Sequence, residues 1–416
     1  MEEGFAGTDT LGGGNATRKQ RVSYYHDDEL SAFQFSHSHP MKPFRVKMAD
    51  TLVRCYEMDK KFESLGVDED FISSVDLSLF HSDDYIDCLK HLNLTNKEQY
   101  VDQIHRFSFG DDCPIFDNMY YFCQRYTAGT ILASEHIAKG DAEIAINWSG
   151  GLHHAKKFEA SGFCYVNDCV LGILELLKTY QRVLYVDIDC HHGDGVEEAF
   201  LTTNRVMTVS FHKYGDYFPG TGSISDIGAD EGKYYAVNYP LNDGVDDETF
   251  ERAFKPVMKE VIDRFKPEAI QLQCGADSLC GDRLGLFNIS IRGHGECVKY
   301  IKSFGIPIVM IGGGGYSLRN VARCWTYETS VALGCEIPNE IPQNEYSMYY
   351  HPANKIHVQV SNQENMNTRG EIEEHTKKIL DNLKKVSATT VDYSYYNNGQ
   401  PTAVKGYSGY DKSEAQ

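Results

Sequence analysis

The stretch Val183-Leu184-Tyr185-Val186-Asp187-Ile188-Asp189-Cys190-His191-His192-Gly193-Asp194 decides how this chain is read. Its apolar opening is too short for a helix and carries the β-branched residues of a strand buried on both faces. That strand runs directly into acids and imidazoles. Four further segments repeat the arrangement. Glu143–Asn147 leads into Ser149-Gly150-Gly151-Leu152-His153-His154, and Ala269–Leu272 into Cys274-Gly275-Ala276-Asp277. Ile308–Ile311 leads into Gly312-Gly313-Gly314-Gly315-Tyr316. Val206–Val209 continues through Ser210-Phe211-His212 towards Phe218-Pro219-Gly220-Thr221-Gly222. Ligands of open parallel sheets bind beyond the carboxyl ends of the strands. Five chemically loaded strand ends therefore point to one cleft.

Helical spacing separates these strands. It fits Val170–Lys178 and Thr249–Phe265, the latter with a kink expected at Pro256 and an end before Pro267. A peripheral helix is expected over Gly370–Val386, where Ile372, Ile379, Leu380, Leu383 and Val386 share a stripe. Strands and helices alternate from about Val22 to Leu333 with neither a linker nor a repeat. The expected fold class is α/β, a three-layer sandwich with a mostly parallel central sheet flanked by helices. Residues 21–386 are read as one domain. The Gly- and polar-rich residues 1–20 and the Tyr-, Gly-, Asn- and Ser-rich residues 387–416 are expected to be disordered.

Composition narrows the function. A chain of 416 residues, 41% hydrophobic and 24% charged, is ordinary for a soluble globular protein. It lacks the roughly 18 apolar residues in a row that a spanning helix needs, and Met1-Glu2-Glu3 does not open a secretory signal. The twelve cysteines are scattered without a CxxC pair, which suits reduced thiols better than a disulfide framework. A formal charge of −20 argues against direct binding to nucleic acid and suits basic partners such as lysine-rich peptides. Arg18-Lys19-Gln20-Arg21 is a weak basic cluster.

Asp187, Asp189 and His191 lie two residues apart, so an extended backbone projects them to one side. Carboxylate oxygen with imidazole nitrogen suits zinc, and iron and manganese are compatible. A catalytic zinc keeps three protein ligands and an open position. Asp189 and His191 supply two of them, and Asp277 is the best third. A second ion would need further carboxylates, whereas residue 279 is Leu. Hydrolysis at such a metal needs groups that take and return protons. His153 and His154 are the candidates, with Asp187 and Asp194 free to orient them. Tyr316, after four glycines that lend the backbone freedom to move, is placed to stabilise developing negative charge.

GLHHAKKFEASGFCYVND (151–168), DIDCHHGDGVEEAF (187–200), CGADSL (274–279) and GGGGYSLRNVARCW (312–325) together resemble class I histone deacetylases, over about Val22 to Leu333. The resemblance implies the arginase/deacetylase fold and zinc-dependent hydrolysis of acetyl-lysine in histone tails, acting in transcriptional repression. It implies zinc on Asp189, His191 and Asp277, His153 and His154 as general base and acid, and Tyr316 at the oxyanion. It pairs Asp187 with His153 and Asp194 with His154. It also implies a tube for the acyl-lysine stem lined by Gly162, Phe163, Phe218 and Leu284, with Asp112 at the rim. Potassium is implied on main-chain oxygens of Asp187, Asp189, His191, Ser210 and Phe211, and at a second site of Phe200, Thr203, Val206 and Tyr235.

Corepressor subunits are the implied partners, with an inositol phosphate held by Lys42, Arg283 and Arg319. The implied location is the nucleus, with the cytoplasm as a further one. The chain departs from the family pattern at Gln34, Ser38, Phe158 and Ser223, and Phe158 bears on the back of the site. A basic C-terminal tail, which some relatives use for import, is absent. The same superfamily contains acetylpolyamine amidohydrolases, and a catalytically silent corepressor scaffold is the reading from a different class.

Overall fold

The computed structural model describes residues 20–386. The segments 1–19 and 387–416, for which disorder is expected, lie outside the described residues. Eight strands form one sheet: β1 (Val22–Tyr25), β2 (Glu63–Leu65), β3 (Ile144–Asn147), β4 (Val183–Asp187), β5 (Val206–Lys213), β6 (Ala236–Leu241), β7 (Ala269–Gln273) and β8 (Ile308–Ile311). Their order is β2-β1-β3-β8-β7-β4-β5-β6, and every pairing is parallel. The sheet is thus wholly parallel, where a mostly parallel one is expected from the sequence.

Period-two alternation along the strands divides the core into two layers. Ile144, Ile146, Leu184, Val186, Ile308 and Met310 face one side, packed with the helices Phe44–Cys55, Asp247–Phe265, Ile291–Lys302, Leu318–Leu333 and Arg369–Leu383. Ala145, Val183, Tyr185, Val309 and Ile311 face the other, packed with Asp83–His91, Met119–Lys139, Asp168–Leu176 and Asp194–Phe200. Both faces are dry, which is why the strands read as continuous apolar runs. No helix among the described residues is long and apolar enough to cross a membrane. All twelve cysteines are free thiols.

The five expected strands are present, and β1, β2 and β6 add to them. β2 has three residues with one buried, so it carries no usable pattern. β6 contains Pro240, which reads against a strand but is tolerated because β6 is an edge. The helix expected from Thr249 begins at Asp247, because the Asp246 carboxylate caps it by accepting from the Thr249 amide, and it continues through Pro256. The C-terminal helix is held by a capping box of Thr368 and Glu371. It docks on β6, where the Tyr239 hydroxyl donates to the Ile372 carbonyl.

Strand order places the chemistry. The central strands β3, β8, β7 and β4 are neighbours and run the same way, so the segments that leave them open on one edge.

Candidate active site and metal centre

Asp189, His191 and Asp277 meet just beyond β4 and β7. The Nδ1 of His191 lies 3.1 Å from Asp189 Oδ1 and 3.0 Å from Asp277 Oδ2. With the Sγ of Cys190, the ligand atoms of this group all fall within 4.8 Å of one another. Every one is buried. Asp189 Oδ2 accepts from Gln273 Nε2 at 3.0 Å and from the Gly314 amide at 2.8 Å, and Asp277 Oδ1 accepts from the Cys190 amide at 2.9 Å. Gly314 is required for this closeness, since a Cβ there would stand 1.9 Å from Asp277 Oδ2.

Burial, and then the charge of Asp189, push the Asp277 carboxyl up to about 7. Burial would raise Asp189 as well, but the charges of His153 and His191 outweigh it and hold Asp189 well below the usual range. Two desolvated carboxylates facing one imidazole nitrogen are a set that a divalent transition cation fits. Leu279, 2% exposed and packed in the core, brings no further carboxylate to it.

Beside this group stand two carboxylate–imidazole pairs. His153 Nδ1 is 2.7 Å from Asp187 Oδ2, and His154 Nδ1 is 2.8 Å from Asp194 Oδ1. The turn carrying both histidines is clamped to Asp168, whose carboxylate accepts from the Gly151 and Leu152 amides and from the Thr130 hydroxyl. Asn167 Nδ2 donates to the carbonyls of His153 and Ala155.

The two pairs are not equivalent. Asp187 also accepts from the Tyr185 hydroxyl at 2.7 Å, whereas Asp194 is shared with the Lys156 ammonium at 2.6 Å. Burial opposes a charge on His153, but Asp187 and Asp189 outweigh it and hold that imidazole up to about 9. Burial, and then the charge of His153, push His154 down to about 3. The rings are 4.0 Å apart. The neighbouring charges thus favour the charged form of His153 and the neutral form of His154.

His154 and His191 open into a cleft of about 590 Å³ whose walls include Asp112, Gly162, Phe163, Phe218, Leu284 and Tyr316. All four expected tube residues are in this wall, and Asp112 is at its exposed rim. Phe218 stands edge-on to His154 at 4.9 Å, and Phe163 edge-on to Tyr316 at 5.6 Å. Gly162 separates them with φ +51, and a Cβ there would come within 2.5 Å of the His154 ring. Gly162→Ala is expected to lower kcat/KM by more than about tenfold, from about 1–2 kcal/mol of left-handed strain plus the clash, with bound metal unchanged. Steady-state kinetics with metal analysis checks this.

Freedom of movement in the four-glycine loop is not what the structure shows. Arg45, buried beneath it, donates to the carbonyls of Gly315 at 2.6 Å and Gly313 at 2.5 Å. Asp282 accepts from the amides of Tyr316 and Ser317 at 2.7 and 3.2 Å. The glycines serve close approach, and the loop is pinned from both sides. Burial first, and the charge of Asp277 second, push the Tyr316 phenol well above its ordinary value, so it stays protonated.

The residues expected to hold potassium and inositol phosphate lie, His191 apart, outside the cleft wall. Asp187 and Ser210 are direct partners on β4 and β5, with Asp189, His191 and Phe211 beside them. Phe200, Thr203, Val206 and Tyr235 lie around the other end of β5, where the Thr208 amide donates to the Tyr235 carbonyl. Lys42 is half-buried and donates to the carbonyls of Ser36 and His37, each at 2.9 Å. Arg283 and Arg319 are exposed on segments joined by the Ser317 hydroxyl bonding to the Gly281 carbonyl. Phe158 is 46% exposed at the surface and is not part of the cleft wall.

Lys156, Asp168, Gln273, Arg45, Asp282 and Tyr217 all serve the site without a sequence signal of their own. Tyr217 stacks on His191 at 5.0 Å and its hydroxyl donates to the Leu284 carbonyl at 3.0 Å. Lys156 and Asp168 lie inside a quoted motif, and their proximity to the histidines was the one available hint.

A family model described as the histone deacetylase domain matches residues 39–332. Histone deacetylase 1 of Homo sapiens is 54% identical over 366 residues, covering 88% of this chain and 76% of the relative. The Drosophila melanogaster protein named histone deacetylase HDAC1 is 53% identical, with 88% of this chain and 70% of the relative covered. Type-1 histone deacetylase 1 of Dictyostelium discoideum is 52% identical over 372 residues, covering 89% and 74%. With a buried metal-capable group where this metal-dependent family requires one, the chain is a deacetylase enzyme and belongs to the class I branch of the histone deacetylase family.

Proposed function

We propose that the chain hydrolyses the N-ε-acetyl amide of lysines in histone tails to lysine and acetate, with one zinc ion held by Asp189, His191 and Asp277. The observation that carries this reading is the convergence, at one cleft, of three buried metal-capable side chains, two carboxylate–imidazole pairs and a tyrosine. Zinc bound there supplies Lewis-acid polarisation of the amide carbonyl and a water that is nucleophilic near neutral pH.

This chain's own residues do the rest. Asp194 accepts from Nδ1–H of His154, which leaves Nε2 of that ring as the lone pair facing the cleft. His154 takes the proton of the attacking water at Nε2. His154, now protonated, returns that proton to the lysine nitrogen as the C–N bond breaks, while the His153 charge stays beside it. Tyr316 donates its phenol hydrogen to the carbonyl oxygen as negative charge builds there. Phe163 and Phe218 flank Gly162 and cover the lysine methylenes together with Leu284, which suits a side chain that is apolar until its end. Asp112 at the rim accepts from backbone amides of the peptide. Asp216, also in the cleft wall, adds a second acid that favours basic tails.

The same proposal includes potassium on the main-chain oxygens of Asp187, Asp189, His191, Ser210 and Phe211, and on those of Phe200, Thr203, Val206 and Tyr235. It also includes action in transcriptional repression within corepressor complexes in the nucleus, with the cytoplasm as a further location. An inositol phosphate at Lys42, Arg283 and Arg319 completes it, supported by three cations on segments that flank the Tyr316 loop.

Chelation decides the central claim. Purified protein treated with a strong chelator is expected to lose hydrolysis of acetyl-lysine peptide, and one equivalent of zinc is expected to restore it. Undiminished turnover after verified metal removal would sink the proposal.

A further inference from the structure

Behind the metal centre, three titratable side chains meet in the core. His294 comes from the helix Ile291–Lys302, and Cys324 and Glu328 come from Leu318–Leu333. All are buried and their polar atoms fall within 4.8 Å of one another. By residue type they resemble a metal site, but both ring nitrogens of His294 are already engaged. Nδ1 lies 2.5 Å from Glu328 Oε1, a hydrogen-bond distance, and Nε2 lies 2.9 Å from the Gly275 carbonyl oxygen. A carbonyl only accepts, so Nε2 carries a proton, and Glu328 shares another with Nδ1. Glu328 thus fixes which way the ring donates. Cys324 Sγ stands 3.5 Å from Nδ1 and completes the enclosure.

Gly275 is two residues before Asp277, and the turn between them is held by its backbone. The Cys274 carbonyl accepts from Trp325 Nε1 at 2.9 Å, the Gly275 amide donates to Gln273 Oε1 at 2.8 Å, and the Ala276 amide donates to the Gly314 carbonyl at 2.9 Å. The Gly275 carbonyl takes a second bond, from the Ser278 hydroxyl, at 3.1 Å. His294 is the donor that reaches this turn from a separate helix with a buried acid behind it. That is the layout by which outer groups orient metal ligands.

We propose that His294 and Glu328 are positioning residues for the metal centre, holding the Gly275 carbonyl so that the turn presents Asp277 at the distance that sets cation affinity. The inference rests on the metal-centre reading above, and the experiment separates the two.

Zinc dissociation constants are measured on full-length apo protein by competition with a chromophoric chelator. Wild type is expected to bind one zinc; if it binds none, the metal-centre reading fails on its own account. His294→Asn keeps a donor near Glu328 but is too short to reach Gly275, whereas His294→Gln reaches Gly275 and gives up Glu328. The zinc dissociation constant is expected to rise about 10-fold or more in His294→Asn and to stay within about threefold of wild type in His294→Gln. Val298→Ala, buried in the same helix, lowers thermal stability without touching Gly275 and is expected to leave zinc affinity unchanged. Wild-type affinity in His294→Asn, or an equal loss in Val298→Ala, overturns the assignment. Should His294→Asn fail to fold, Glu328→Gln decides. Its amide keeps a partner on Nδ1 and leaves Nε2–H on Gly275, so native affinity is expected there, whereas Glu328→Leu leaves the ring unoriented and is expected to raise the zinc dissociation constant severalfold; equal affinities in these two variants overturn the inference.

Discussion

Tyr316→Phe is expected to lower kcat on an acetyl-lysine peptide by about 10²–10³-fold, the usual cost of one oxyanion donor. KM is expected to change little, because the lost bond forms only as charge develops on the carbonyl oxygen. The structure makes this deletion clean. The Tyr316 amide is tied to Asp282, its ring rests edge-on against Phe163, and the preceding carbonyls are tied to Arg45, so removing one oxygen leaves the ring in place. Because the phenol stays protonated, the loss should be uniform between about pH 6 and 9, a range below the ordinary tyrosine value. Equal kcat in mutant and wild type would remove Tyr316 from the reaction.

His154→Ala is expected to cost about 10²–10⁴-fold in kcat, the range for a positioned general base or acid. Zinc content should be retained, since His154 is not among the metal-capable group. The pH dependence has a definite sign. An ordinary histidine base is protonated as pH falls through about 6.5, but burial and the neighbouring His153 charge push His154 down to about 3. A cation at Asp189, His191 and Asp277 pushes it in the same direction. The wild-type acid limb should therefore not show a titration at 6.5 that belongs to this base. His154→Ala should reduce the rate without moving whatever acid limb remains. A mutant with wild-type kcat would show that the base lies elsewhere, and an acid limb that shifts by a unit would show that His154 titrates within it.

Much of the site is legible in the sequence because strand ends are local. Asp187, Asp189 and His191 sit within one turn of chain, and a parallel sheet puts all such strand ends on one edge. The order itself is not local. Nothing in Ile308–Ile311 says that β8 lies between β3 and β7. The residues that stiffen the site are still less visible, because they act on backbone atoms. Arg45 donates to Gly315 across 270 positions, and Asp282 accepts from the amides of Tyr316 and Ser317, so neither bond depends on the partner's side chain. This is why four glycines read as freedom from sequence and prove to be a tethered loop. Lys156 shows a related limit. Its stretch reads as a motif, but only the fold reveals that the ammonium shares Asp194, the carboxylate behind His154.

The position of β8 also bears on how the protein matures. Among the described residues it is the last strand in chain order, yet it lies in the middle of the sheet, pairing β3 at Ile144↔Ile308 and β7 at Ile270↔Ile308. Asp189, His191 and Asp277 follow β4 and β7, which pair directly, whereas the histidine pair follows β3 on the far side of β8. The segment leaving β8 also carries Gly314, whose amide bonds Asp189, so both groups of the site depend on insertion of that strand. That insertion demands a contact between segments some 160 residues apart, the kind of long-range step that governs folding speed. The site as a whole is therefore assembled only once this strand is in place, since in the sheet it links the segment after β3 to those after β7 and β4.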